Sequence, residues 1–253
     1  MIYTCYEMVR DCRANRAEGW TYFLRHYVPV VRRLVAHYFP EREVEPALIQ
    51  SVSELFQSLE PLPERSFVAE LRQHVLKQVE SNGGSADLEI LAGALEPLTL
   101  TEKLVVWLET MRYTGEDTGR MLHMSAQTAE KIRARAAELL RNAIDDWSRS
   151  MLVENGRALG QAAAEATAKE CLPAKAFLDV IDGRTTWRGR EEMERHVKTC
   201  WHCLDHFCRL MEVVDLLRAR HPLDDSELET YQRLIGITPK KHGLWKRAGS
   251  TGV

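Results

Sequence analysis

The stretch Tyr113-Thr-Gly-Glu-Asp-Thr-Gly-Arg-Met-Leu-His-Met-Ser-Ala-Gln-Thr-Ala-Glu-Lys-Ile-Arg-Ala-Arg-Ala-Ala-Glu-Leu-Leu140 sets the reading of the chain. It has helix-turn-helix logic. A short helix holds Glu116 to Leu122, a turn follows at His123 to Ala126, and a second helix starts near Thr128. Gly119 sits where two helices must approach closely. Met121, Leu122 and Met124 supply apolar contacts, and Ser125 or Thr128 can cap the second helix. The candidate DNA contacts are Thr128, Lys131, Arg133 and Arg135, with Arg141 further along the same helix; they suit phosphates or base edges in a major groove. The other reading is a plain helical hairpin with solvated arginines. Residues 130–141 carry four basic and two acidic side chains, a modest basic face for a ligand whose affinity scales with phosphate contacts.

Helical patterns extend in both directions. Thr99 can cap a preceding helix, with Glu102 three residues on completing a capping box, and Val105, Val106, Leu108 and Met111 give its apolar face. From Trp20 to Tyr38, apolar residues recur at three- and four-residue steps, and Pro29 marks a kink or a helix start. Further patterns run through Leu48, Val52, Leu55, Phe56 and Leu59, and through Phe67, Leu71, Val75, Leu76 and Val79. Strand-like alternation is nearly absent, so the expected fold is all-α. The expected organisation is a helical module over 1–80, a linker over 81–96 around Ser81-Asn82-Gly83-Gly84-Ser85, and a helix-turn-helix module over 97–147. A helical connector over 148–170, a small metal-binding helical unit over 171–220 and a basic tail over 221–253 follow.

Composition narrows the function. The chain has 253 residues and a net charge of −3, with 45% hydrophobic and 28% charged residues. These values exclude a largely disordered chain and a uniformly basic nucleic-acid binder. Residues 1–150 hold 18 Lys and Arg against 22 Asp and Glu. No apolar run approaches a membrane span, and the first ten residues lack a secretory signal pattern, so the expected location is the cytoplasm. There is no Gly-rich phosphate loop and no nucleophile–base pair, so an enzyme is not expected.

Six cysteines stand at 5, 12, 171, 200, 203 and 208. In a cytoplasmic chain their C-terminal clustering points to metal or redox chemistry. The sharpest signal is Cys171 followed by His196-x-x-x-Cys200-x-x-Cys203. Zinc takes thiolate and imidazole ligands in a tetrahedron, and four protein ligands make a closed structural site. On one helix, residues 196, 200 and 203 would share a face, with Cys171 supplying the fourth ligand. Two alternatives remain open at this point: a redox-active C-x-x-C pair, and buried cysteines acting as small hydrophobes. His202, His206 and Cys208 lie nearby, and Cys208 falls off the 196–200–203 face.

Cys171-Leu-Pro-Ala-Lys-Ala-Phe-Leu-Asp-Val-Ile-Asp-Gly183, followed by Glu191 to Cys203, resembles the zinc-binding anti-sigma domain. Phe177, Leu178, Ile181, Asp182 and Gly183 stand at that family's helix-and-turn positions, and in some members the site is redox sensitive. Residues 97–147 resemble region 4 of extracytoplasmic-function sigma factors at Leu98, Glu102, Tyr113, Glu116, Leu122, Met124, Ser125 and Thr128. They depart from it at Thr118, His123 and Glu130; His123 stands where the family usually has a turn glycine. Residues 15–80 resemble region 2 of the same family. Val44-Glu-Pro-Ala-Leu-Ile-Gln50-Ser-Val-Ser-Glu-Leu-Phe56 matches its polymerase-binding helix, with Gln50 and Phe56 retained and the acidic pair reduced to Glu45. Arg65, Phe67, Arg72, His74 and Lys77 stand where the family reads the upstream promoter element.

The resemblance implies a sigma-like regulator that binds core RNA polymerase and promoter DNA. Its zinc domain would dock intramolecularly on the two modules and tune them in cis. The alternative is a sigma-fold protein-interaction module without DNA binding.

Overall fold

The computed structural model describes residues 3–39, 45–60, 62–79, 95–143 and 156–237, and every regular element among them is an α-helix. The N-terminal module is built from α1 (Cys5–Arg13), α2 (Ala17–Tyr38), α3 (Glu45–Ser58) and α4 (Glu64–Val79). A Thr4–Glu7 capping box starts α1. Arg13, at the other end of α1, donates to the Phe56 carbonyl at 2.6 Å and to the Leu59 carbonyl, serving the open C-terminal acceptors of α3. The four helices enclose an aromatic core. Phe56 packs edge-on to Trp20 and Phe23, with centroids at 5.4 and 5.2 Å, and Tyr27 packs edge-on to Phe67 at 4.9 Å.

Pro29 neither starts nor ends α2, which runs unbroken from Ala17 to Tyr38. A proline has no N–H, so the carbonyl four residues earlier loses its helical donor. That carbonyl belongs to Arg25, and the backbone N–H of Leu223 donates to it at 2.9 Å. A residue almost two hundred positions later completes the helix.

The middle module comprises α5 (Leu100–Thr110), α6 (Gly115–Met121) and α7 (Ala126–Ala143). The Thr99–Glu102 box caps α5 as the spacing suggests, and a Thr114–Asp117 box caps α6. Ser125 Oγ accepts the Thr128 N–H at 3.0 Å at the start of α7. Between α6 and α7, His123 sits at φ = +56°, a left-handed conformation that a non-glycine side chain occupies at a cost. At Gly119 an added Cβ would stand 2.8 Å from the Met124 carbonyl oxygen and 3.1 Å from the Ala126 nitrogen, both backbone atoms. Gly119→Ala should therefore destabilise the chain by about 1–3 kcal/mol despite alanine's helix preference. A lower urea midpoint would show it; an unchanged midpoint would mean that α6 and α7 can separate freely.

The C-terminal third holds α8 (Gly156–Glu165), α9 (Ala174–Ile181), α10 (Trp187–Thr199), α11 (Trp201–Arg218) and α12 (Asp225–Leu234). Among the described residues it has no separate core of its own. Phe177, Met193, Val197, Cys203, Phe207 and Cys208 pack into the same cluster as Leu98, Trp107, Met121 and Leu140 of the middle module. Further along α11, Val213 and Leu216 enter the aromatic core of the N-terminal module, joined by Leu223 and Leu228. One helix thus belongs to both cores.

Of the expected segments, the linker over 81–96 and the first part of the connector lie almost wholly outside the described residues, as does the basic run Pro239–Arg247. Leu95 is described and is buried in the second core. Within the stretch read as a basic tail, residues 225–234 form the acid-capped helix α12, seated on α2. Among the described residues no helix is long and apolar enough to cross a membrane.

Candidate metal centre

Cys171, His196, Cys200 and Cys203 converge. One ligand atom from each lies within 4.8 Å of all the others, a cluster that can hold a metal ion. Cys171 Sγ and Cys200 Sγ are 3.8 Å apart, and His196 Nε2 is 3.1 Å from Cys203 Sγ. Metal–sulfur bonds of ~2.3 Å in a tetrahedron place sulfurs about 3.8 Å apart, so the thiol spacing fits a tetrahedral site. All four side chains are buried or half-buried, and no cysteine in the chain is in a disulfide.

The ligands do not share one helix, as their i, i+4, i+7 spacing suggests. α10 ends at Thr199 and α11 begins at Trp201. Cys200 between them is extended, with φ −108° and ψ 113°, and its N–H bonds the His196 carbonyl. A single straight helix would line the three side chains along about 10 Å of axis, too long for one ion. Breaking the helix at Cys200 folds the ligands together. Cys171 arrives from the segment before α9, where its Sγ accepts the Ala168 N–H at 3.2 Å.

Burial pushes the Cys203 thiol up to about 12, and the neighbouring Cys200 and Cys171 sulfurs add to the rise. Clustered thiolates repel one another in low dielectric, and a bound divalent cation reverses that balance. The neighbouring donor side chains are otherwise engaged. His202 Nδ1 meets the Ala164 carbonyl at 2.9 Å, His206 packs edge-on to Phe177, and Cys208 is fully buried in the core.

Cys203 lies in the first turn of α11, and the acids of that helix reach both helical modules. Asp205 accepts from Trp107 Nε1 of α5 at 3.2 Å and pairs with Arg209 at 2.6 Å; burial raises its carboxyl pKa. Glu212 is 1% exposed and ion-paired with the buried Arg72 of α4. It also accepts the hydroxyls of Tyr38 at 2.9 Å and Tyr113 at 2.5 Å. Burial is the largest single influence on Arg72 and opposes its charge, but Glu212, Tyr38, Tyr113 and Asp205 together outweigh it and the guanidinium pKa rises. Asp215 accepts from Arg33 of α2 at 2.9 Å and from Arg120 of α6 at 2.6 and 3.0 Å. Beyond α11, Asp182 takes a two-pronged bond from Arg65 at 2.7 and 2.8 Å, which lowers its carboxyl pKa.

The other residues singled out in the sequence are scattered. Thr128, Lys131, Arg133 and Arg135 are exposed on α7. Arg133 pairs with Glu130 at 2.6 Å and with Glu109 of α5 at 3.2 Å. Arg135 pairs with Glu102 of α5 at 3.2 Å. Gln50 is exposed on α3, whereas Phe56 is wholly buried in the aromatic core and has no surface to offer a partner in this conformation.

Sequence reading missed Glu212, Asp215 and Arg120, and it set Arg72 among promoter-reading side chains, whereas Arg72 is buried against Glu212. One signal was there: Leu210-Met-Glu-Val-Val-Asp-Leu-Leu217 sets two acids in an otherwise apolar run, and such acids are buried only when paired. No protein-family model, curated protein or solved structure matches the chain.

Proposed function

We propose that the chain is a sigma-factor-like regulator of transcription initiation, held closed by its own zinc-binding C-terminal unit. The metal of the four-ligand cluster is zinc, the species favoured by three thiolates and one imidazole in a tetrahedron. Its partners are core RNA polymerase and promoter DNA. One observation carries the reading. Arg72, Arg33, Tyr113 and Arg120 come from both sigma-like modules and converge on Glu212 and Asp215 of the helix whose first turn bears Cys203. The metal fixes the start of that helix, and its acids hold the modules together. Because the docking is intramolecular, a modest interface suffices, and release exposes both modules at once.

The test uses the full chain and an Asp215→Asn variant, which weakens the link between α2 and α6 without uncovering apolar core. The variant should co-elute with bacterial core RNA polymerase to a greater extent than the native chain. If neither co-elutes, the sigma reading fails.

A second reading is a sigma-fold interaction module that does not read DNA. It is favoured by the engagement of Arg133 and Arg135 with carboxylates of their own module. Promoter DNA retained by the Asp215→Asn variant and lost on Lys131→Ala would exclude it.

A further inference from the structure

The segment after α11 turns back and lies in a groove on α2. Three features define that groove. At its floor is the Arg25 carbonyl that Pro29 leaves without a helical donor, filled by the Leu223 N–H at 2.9 Å. Beside it is an apolar surface covered by the buried Leu223 and Leu228, with Tyr231, Ile235 and Ile237 packed at its margin. Along its rim stand two arginines. Arg25 meets Asp225 at 2.5 Å, while Arg32 meets Glu227 at 2.7 Å and the Tyr231 hydroxyl at 3.0 Å. Gln232 adds a bond to Thr21 at 3.0 Å.

The chemistry of this surface selects a peptide over a nucleic acid. A phosphate backbone would match the arginines, but it offers no donor to the bare carbonyl and nothing to cover the apolar floor. A helix that begins with an acidic cap and carries one apolar stripe supplies all three.

The resident helix is lightly held. Of the residues of α12, only Leu228 and Gln232 are buried, and the Asp225 side chain is 86% exposed. By contrast α11 is buried along most of its length. Elements with few buried contacts and exposed ion pairs open first.

We infer that the α2 groove is a docking site for an acidic amphipathic helix of a partner protein, and that residues 223–235 are a resident copy of that ligand. The ligand pattern follows from the resident residues. A leucine precedes the acidic cap Asp224, Asp225 and Glu227 fill the first turn, and a second leucine and a tyrosine stand at the positions of Leu228 and Tyr231. The tether from Arg218 is short, so the resident copy competes at high effective concentration. A partner therefore enters when it binds more tightly or when the resident helix is loosened. This site rests on the groove alone and requires neither the metal nor polymerase.

The test titrates a fluorescent peptide of residues 221–237 into the native full chain and into full-length Leu228→Ala. Leu228→Ala loosens the resident helix and leaves the α2 groove intact. The peptide should bind the variant about tenfold or more tightly than the native chain. Hydrogen exchange in 221–237 should accelerate while α2 stays protected, which shows that the variant is folded. Adding Arg32→Glu should weaken the peptide about tenfold, and a peptide carrying Glu227→Arg should recover most of the loss. Failure of the peptide to bind the folded variant, or indifference to the charge swap, overturns the site. So does binding of a DNA duplex to Leu228→Ala where the peptide does not bind, which would assign the arginines to a nucleic acid.

Discussion

Glu212→Ala should cost the chain about 3–5 kcal/mol of stability, because it strands the Arg72 guanidinium in the interior without a counter-charge. Arg72 is 4% exposed, so water cannot replace the lost carboxylate without opening the core. The same change removes the acceptor of the Tyr38 and Tyr113 hydroxyls. Glu212→Gln keeps an acceptor for those hydroxyls and should lose less. Urea denaturation read by circular dichroism orders the three chains: native, then Gln, then Ala. A value under ~1 kcal/mol for the Ala variant would show that the pair is a surface interaction. Exchanging the two charges, Arg72→Glu together with Glu212→Arg, is not a fair control, since the hydroxyls would then face a donor.

Cys203→Ser should have the second large effect. The native chain, purified reduced and without chelator, should carry about one equivalent of zinc, and the variant less than about half. Loss of a structural metal from a folded chain costs on the order of 4 kcal/mol or more, seen as a lower melting temperature. A chelator should lower the melting temperature of the native chain and leave that of the variant unmoved. Equal metal content in the two proteins would remove Cys203 from the ligand set. An effect of chelator on both would place the metal elsewhere.

How much of this was legible depends on distance along the chain. The capping box at Thr99 and Glu102, the apolar stripe of α2 and the ligand spacing of the cluster are local, and the structure contains each of them. The break at Cys200 was not legible, because no glycine or proline stands between Val197 and Cys203 to mark it, and the ligand spacing alone reads as one helical face. The clamp on α11 was invisible for another reason. Arg33 and Asp215 are 182 residues apart, and Arg72 and Glu212 are 140 apart. A charge in a sequence names no partner at that range. Likewise Pro29 reads as a helix breaker until a donor from residue 223 is found for the carbonyl it orphans.

The sharing of α11 between the two cores bears on how the protein is made. A ribosome releases residues 1–143 long before Trp201–Arg218 has emerged. Until then neither cluster is closed: the first lacks Val213 and Leu216, and the second lacks Cys203, Leu204, Phe207 and Met211. Two incomplete apolar surfaces wait side by side on the nascent chain, a state prone to misassembly. Arrival of α11 closes the second and brings Val213 and Leu216 to the first, which Leu223 and Leu228 then complete; the same helix carries the acids that pair with both modules. Closure of either cluster therefore waits for the C-terminal third, so the two modules gain their full cores together rather than one after the other.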